Sequence, residues 1–100
     1  MPMHMKVRFT DRDLDRMETD KSYTGRYAQP IVRSFRRTMA VIRAADTEQV
    51  FYGLAGLHFE KLKRQRGQYS MRLNSQWRLI LELEGAQPKT VVIVAIEDYH

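Results

Sequence analysis

The chain of 100 residues contains no cysteine. Disulfide bonds and thiolate metal sites are therefore excluded, and a reducing compartment is compatible with the composition. No apolar run approaches the roughly 20 residues of a membrane-spanning helix, and no secretory signal is visible over residues 1–9. We therefore expect a cytoplasmic protein without a membrane partner. A chain of this length has room for about one hydrophobic core, which predicts a single domain over residues 1–100.

Acidic residues are missing from a long stretch in the second half of the chain. The segment from Lys61 to Leu81 has no Asp or Glu, whereas residues 11–20 carry five acids and two arginines. The net charge of +5 is compatible with nucleic acid, an anionic membrane surface or an acidic protein, and its concentration in one segment suits a polyanion such as nucleic acid. The basic residues of the segment are Lys61, Lys63, Arg64, Arg66, Arg72 and Arg78.

Helical periodicity dominates the first half of the chain. Pro30 suits the first turn of a helix, and apolar residues then recur at helical spacing, which predicts a helix over residues 30–45. A shorter helix is expected after Thr10 or Asp11, either of which can cap it, and a helical turn over residues 47–54. The longer helix also carries four arginines, which form either a solvated face or an interface with RNA or an acidic partner. These are Arg33, Arg36, Arg37 and Arg43.

The hydrophobic period then changes from the helical value to two, which is typical of strands. We predict strands over residues 6–9, 57–62, 69–74, 77–84 and 90–96. The third and fourth form a hairpin with one buried face, and the last is apolar on both faces, as expected of a central strand. The sequence thus predicts an α+β fold in which N-terminal helices pack on one face of a mainly antiparallel, twisted sheet.

Few side chains in this chain handle protons near neutral pH. The three histidines are His4, His58 and His100, and Asp98 and Tyr99 precede the last of them. RNA cleavage by the 2′-hydroxyl needs a base, an acid and cations on the phosphate, and histidine serves either proton role. Arg72 or Arg78 on the hairpin could hold the phosphate. Residue types alone leave a simple RNA-binding module equally open, and they show no recognisable set of metal ligands.

Three segments together resemble the HigB-like toxins of the RelE/ParE superfamily. They read GLHFEKLK, GQYSMRLNSQWRLILELE and VVIVAIEDYH, and they cover residues 56–100. The resemblance implies a fold like that of the microbial ribonucleases and a toxin of a type II toxin–antitoxin system. It also implies an endoribonuclease that cleaves mRNA in the ribosomal A site by acid–base catalysis, without a metal or other cofactor.

The resemblance also implies which residues act and which partners bind. The histidine after the leucine and the terminal Asp-Tyr-His motif correspond to His58, Asp98, Tyr99 and His100, and the arginine of the Trp-Arg pair corresponds to Arg78. The basic residues Lys61, Lys63, Arg64, Arg66 and Arg72 are then expected to bind mRNA and 16S rRNA. A HigA-like helix-turn-helix antitoxin is the expected partner, with operator DNA bound indirectly through that complex.

One loop departs from the family pattern. Many relatives have Lys-Gly-Asp-Arg where this chain has Lys63-Arg64-Gln65-Arg66-Gly67. The loop beside the expected RNA path is therefore more basic. The alternative within the superfamily is a toxin without enzymatic activity that binds a protein target, as the gyrase-inhibiting ParE branch does, although that branch generally lacks the terminal motif.

Overall fold

The computed structural model describes residues 4–86 and 88–98, which form three helices, one 3₁₀ turn and five strands. The elements follow in the order β1 (Lys6–Phe9), α1 (Arg12–Thr19), α2 (Gln29–Ala44), α3 (Gln49–Gly53), the 3₁₀ turn (Ala55–Leu57), β2 (Glu60–Lys61), β3 (Gln68–Arg72), β4 (Trp77–Glu84) and β5 (Thr90–Asp98).

The five strands form one mixed sheet in the order β1-β5-β4-β3-β2. Only β1 and β5 pair in parallel, and the other three pairs are antiparallel. The long strand β5 lies between β1 and β4, so both of its edges are hydrogen-bonded within the sheet. The predicted α+β fold with a mainly antiparallel sheet is therefore confirmed.

The helices cover one face of the sheet, which we call the helix face. It presents alternate residues of the long strands, among them Leu79, Leu81 and Ile93, which are fully buried against the helices. The helices contribute a stripe of buried side chains at helical spacing, including Phe35 and Ile42. Burial of each such side chain stabilises the fold by about 1.5–3 kcal/mol, so this interface is the main source of stability.

The helix boundaries follow from local signals in the sequence. The Asp11 carboxylate accepts hydrogen bonds from the backbone N–H groups of Asp13 and Leu14, and so caps α1 as predicted. The helix α2 has Pro30 in its first turn and lies within one residue of the predicted bounds. The turn between β3 and β4 is also as expected, because Asn74 Oδ1 accepts from two backbone N–H groups at 2.8 Å.

One predicted strand is wrong in most of its length. Residues 57–62 were expected to be extended, but the 3₁₀ turn ends at Leu57 and β2 contains only Glu60 and Lys61. The interruption lies at His58, whose backbone is left-handed with φ 45° and ψ 52°. A strand cannot continue through this conformation, which explains the difference.

The sheet face opposite the helices, which we call the outer face, is more buried than a one-sided pattern predicts. Ser70 and Ile80 lie opposite each other on β3 and β4 and are only 1% and 3% exposed. Polar pairs cross the same face, since Arg8 binds Glu84 and Gln68 donates to Glu82. Glu82 therefore pairs with the neighbouring strand β3, whereas Glu84 reaches across β5 to Arg8 on β1.

Candidate active site

His58 is the only residue other than glycine with a positive φ among residues 4–86 and 88–98. Its N–H closes the 3₁₀ turn by donating to the Ala55 carbonyl, and its side chain is exposed. A histidine in this conformation costs the fold about 1–2 kcal/mol relative to a right-handed backbone. Because backbone strain of this kind concentrates at functional sites, His58 is the first residue that the geometry singles out.

Two arginines of the hairpin lie against His58. Arg72 Nη1 is 3.5 Å from His58 Nε2, and Arg78 Nη1 donates to the His58 carbonyl at 3.4 Å. Arg72 and Arg78 are paired across β3 and β4, so their side chains lie on the same face of the sheet. The structure therefore brings together three of the predicted site residues, although Arg72 and Arg78 follow His58 by 14 and 20 positions in the sequence.

The contact between His58 and Arg72 constrains the imidazole. A guanidinium has no acceptor, so a hydrogen bond between them requires the lone pair of His58 on Nε2. That lone pair is what a general base uses to take a proton. The guanidinium groups of Arg72, beside the ring, and of Arg78, at the His58 carbonyl, can neutralise a phosphate and hold it by paired hydrogen bonds.

The neighbouring carboxylates at the end of β5 point to opposite faces of the sheet. Glu97 is paired with Arg78 and therefore shares the outer face with the two arginines. Asp98 is paired with Trp77, which packs against the core on the helix face, and its Oδ2 accepts from Gln76 Nε2 at 3.1 Å. Adjacent residues of a strand face opposite ways, so Glu97 and not Asp98 lies in line with the arginines.

We refer to His58, Arg72, Arg78 and Glu97 as the His58 row. Glu97 is a member that the sequence reasoning missed, and the only signal for it was its position between the apolar strand and Asp98. Its carboxylate binds Arg64 at 2.9 Å, with the two side chains 42% and 52% exposed. Such an exposed pair contributes little to stability. The hydrogen bond that Arg64 donates to Glu97 raises the already high pKa of Arg64. The predicted residues Tyr99 and His100 lie outside the described residues.

The loop between β2 and β3, together with Lys61 at the end of β2, is called the basic loop and borders this site. Lys61, Lys63 and Arg66 surround a concave pocket of about 370 Å³ and make no ion pair or side-chain hydrogen bond within residues 4–86 and 88–98. Arg64 in the same loop reaches across to Glu97 instead. The loop thus presents three uncompensated cations to one side of the His58 row and one arginine bound within it.

The chain as a whole matches a family model described as a RelE-like toxin of the type II toxin–antitoxin system HigB, over residues 7–100. The chain belongs to the HigB-like toxin family. The resemblance found in residues 56–100 therefore extends through the helical half. No curated protein sequence matches the chain.

Solved toxin structures share the fold of this HigB-like chain. A YoeB/ParE toxin from Agrobacterium tumefaciens is 13% identical with a TM-score of 0.60, and the match covers 96% of this chain and 100% of that one. A YoeB–YefM complex from Staphylococcus aureus is 17% identical with a TM-score of 0.57, and the match covers 97% of this chain and 98% of that one. At these identities the likeness concerns the fold alone.

Residues 4–86 and 88–98 of this HigB-like chain have neither a cluster of metal ligands nor a membrane-spanning helix. Within those ranges no three His, Asp or Glu side chains converge as a set of metal ligands. None of the helices there has the length and apolar character needed to cross a bilayer.

Proposed function

We propose that this HigB-like toxin is an endoribonuclease that cleaves mRNA in the ribosomal A site by acid–base catalysis. The observation that carries the proposal is the convergence of His58, Arg72 and Arg78 on one exposed surface next to a basic loop. Attack of a 2′-hydroxyl on its neighbouring phosphate requires a proton acceptor and cations close to the phosphate, and these three residues can supply them.

In the proposed reaction, His58 is a proton-transfer group. A base takes the proton of the 2′-hydroxyl, whose oxygen then bonds to phosphorus. The bond from phosphorus to the 5′-oxygen breaks, and an acid supplies the proton that this oxygen needs. The products are a 2′,3′-cyclic phosphate and a 5′-hydroxyl end. His100 is proposed as the second proton-transfer group.

Arg72 and Arg78 are proposed to bind the phosphate as negative charge builds up on its oxygens. Their pairing across β3 and β4 supports this role, because two arginines on adjacent strands present their donors side by side. A guanidinium fork matches two phosphate oxygens at once, which stabilises the pentacoordinate state more than a single point charge does.

The remaining predicted residues take supporting roles in this proposal. Asp98, which accepts a hydrogen bond from Gln76, is proposed to help fix the chain end that carries Tyr99 and His100. Tyr99 is proposed to bind phosphate or stack on a base. The loop residues Lys61, Lys63, Arg64 and Arg66 are proposed to bind the backbones of mRNA and 16S rRNA without sequence preference.

The proposed setting is the cytoplasm, with an antitoxin as the second partner. Membership of a toxin family of type II systems supports a HigA-like antitoxin for this chain, and a related fold is solved as a YoeB–YefM complex. The strong net charge of +5 supports an antitoxin with an acidic docking segment. Contact with operator DNA is proposed to occur through that antitoxin.

The test uses purified protein and mRNA, with and without ribosomes that carry an empty A site. Primer extension maps the cuts made by the wild type, His58→Asn and His100→Ala. We expect cuts by the wild type only when ribosomes are present, and strong loss in both variants. Wild-type cuts that require ribosomes, together with a 5′-hydroxyl on the downstream fragment, support the mechanism.

Two other outcomes would replace the proposal. Growth arrest in cells without any cleavage would favour the toxin that binds a protein target. RNA binding without either cleavage or growth arrest would favour a simple RNA-binding module. Equal cutting by the wild type and His100→Ala would remove His100 from the chemistry while leaving His58 in place.

A further inference from the structure

The four arginines of α2 make different contacts, and two of them bind other parts of the fold. Arg36 donates to the carbonyls of Met17, Asp20, Lys21 and Tyr23, and so fastens the segment after α1 to α2. Arg43 forms two hydrogen bonds with the Glu18 carboxylate, at 2.9 and 2.6 Å. Arg36 is therefore bound within the fold, whereas Arg43 binds Glu18 while its side chain stays 48% exposed.

Arg37 is exposed and makes no ion pair or side-chain hydrogen bond with residues 4–86 and 88–98. It stands one helical position after Arg36, on the side of α2 that faces the 3₁₀ turn. An exposed arginine of this kind contributes little to the stability of the fold. Its charge is therefore available to a ligand.

A pocket of about 270 Å³ lies between α2 and the 3₁₀ turn. The helix side is formed by Arg37, Thr38 and Val41, and the opposite side by Gly56, Leu57 and Arg72. The pocket thus combines two arginines with a mixed wall, in which Val41 and Leu57 are apolar and Thr38 is polar. Bases stack on aromatic rings or arginine planes and are also held between apolar side chains, and phosphates bind arginine, so two arginines beside Val41 and Leu57 suit one nucleotide.

The pocket is continuous with the His58 row. Arg72 borders the pocket and also contacts His58, which directly follows Leu57 in the opposite wall. A nucleotide seated here is therefore next to the phosphate that the row is proposed to bind. An acidic helical segment of a protein fits less well, because such a segment needs a groove several turns long, whereas this pocket accommodates about one base.

We propose that this pocket is a nucleotide subsite, in which Arg37 binds the phosphate beside the one that is cut and the base lies between Val41 and Leu57. The inference rests on the proposed function and adds the part of the substrate that positions the cleaved bond. It assigns Arg37 a role in binding, separate from the proton transfer at His58.

The test compares Arg37→Gln with Arg33→Gln. Both variants remove one positive charge from an exposed site on the same helix, and Arg33 is not part of the pocket. We expect Arg37→Gln to raise the KM for ribosomes programmed with mRNA about five- to tenfold with kcat nearly unchanged. The affinity for a short single-stranded RNA, measured by fluorescence anisotropy, should lose about 0.7 from its slope against log salt. Arg33→Gln should change neither quantity.

A second pair of variants changes the volume of the pocket without changing charge. A side-chain carbon added at Gly56 or at Gly53 meets no atom within 4 Å, and neither glycine has a positive φ. Gly56 borders the pocket and Gly53 does not. Gly56→Met should therefore raise KM and alter the base preference at one position beside the cut, whereas Gly53→Met should leave the cleavage map as it is.

The outcomes separate this inference from the proposed function. If the wild type cuts mRNA but Arg37→Gln and Arg33→Gln behave alike, the subsite is wrong and the ribonuclease mechanism stands. If the wild type does not cut, the proposed mechanism fails, and equal RNA affinities of the two arginine variants in the anisotropy assay would overturn the subsite as well. Loss of antitoxin binding in Arg37→Gln with RNA affinity unchanged would also overturn it.

Discussion

Arg72 Nη1 lies 3.5 Å from Nε2 of His58, although 14 residues separate the two in the sequence. The contact joins the end of β3 to the residue where the chain leaves the 3₁₀ turn. It depends on the left-handed backbone of His58, because that conformation ends the turn and sets where the imidazole points. The backbone and the proposed chemistry are therefore linked at a single residue.

Replacing His58 by Asn should abolish cleavage without unfolding the protein. Asparagine tolerates the left-handed backbone nearly as well as histidine but does not transfer protons at neutral pH. We expect the single-turnover rate on programmed ribosomes to fall about 10²–10⁴-fold. The free energy of unfolding in urea should change by less than about 1 kcal/mol. The matched control is His4→Asn, because His4 is also exposed and is paired with Asp46 at 3.6 Å. Undiminished cutting by His58→Asn would remove His58 from the mechanism.

Replacing Arg72 or Arg78 by Lys should separate charge from geometry. Lysine keeps the positive charge but lacks the fork that binds two phosphate oxygens. We expect kcat to fall about 10- to 100-fold in either variant, while the affinity for single-stranded RNA changes less than threefold. Arg12→Lys, at an exposed position of α1, is the control. A fall in RNA affinity with kcat preserved would mean that these arginines only bind.

Replacing Glu97 by Gln should strengthen RNA binding. The carboxylate neutralises Arg64 and lies opposite Arg78, so its removal leaves more positive charge on the outer face. We expect the affinity for single-stranded RNA to rise about two- to fivefold, with a steeper dependence on salt. Asp98→Asn should have a smaller effect, because that side chain lies on the other face of the sheet. Weaker binding by Glu97→Gln would indicate that the carboxylate orders the loop instead.

Replacing Arg36 by Gln should destabilise the fold. The guanidinium donates to one backbone carbonyl in α1 and to three in the segment that follows it, and glutamine cannot reach all of them. We expect the free energy of unfolding to fall by about 2–3 kcal/mol in urea titrations. Arg33→Gln, an exposed change in the same helix, should cost less than about 0.5 kcal/mol. Equal stabilities of the two variants would show that the bonds to these carbonyls contribute nothing.

The turn after α1 should make stability depend on acid pH. Hydrogen bonds from the Ser22 hydroxyl and N–H lower the pKa of Asp20 below its usual value of 3.8. A lowered native pKa gives stabilisation that is present above about pH 3.8 and is lost as the pH falls through the native value. Ser22→Ala removes the hydroxyl donor, so its unfolding free energy should lie below that of the wild type at neutral pH and converge with it in acid. A constant difference across this range would contradict the linkage.

Local signals in the sequence were sufficient for most of the fold. The spacing of apolar residues located α2 within one residue, and Asp11 and Asn74 marked a helix start and a turn. These features depend on neighbours within a few positions, so the sequence determines them directly. The strand predicted over residues 57–62 failed because a single left-handed residue, His58, interrupts an otherwise suitable pattern.

The candidate site depended on the tertiary structure to a greater extent. The sequence by itself determined a basic segment, the candidate His58 and the family resemblance. Only strand register decided that Arg72, Arg78 and Glu97 share a face and that Asp98 lies on the other, because a shift of one residue reverses every side chain. Only packing decided that Arg36 is used by the fold while Arg37 borders a pocket, since adjacent positions of a helix point in directions about 100° apart.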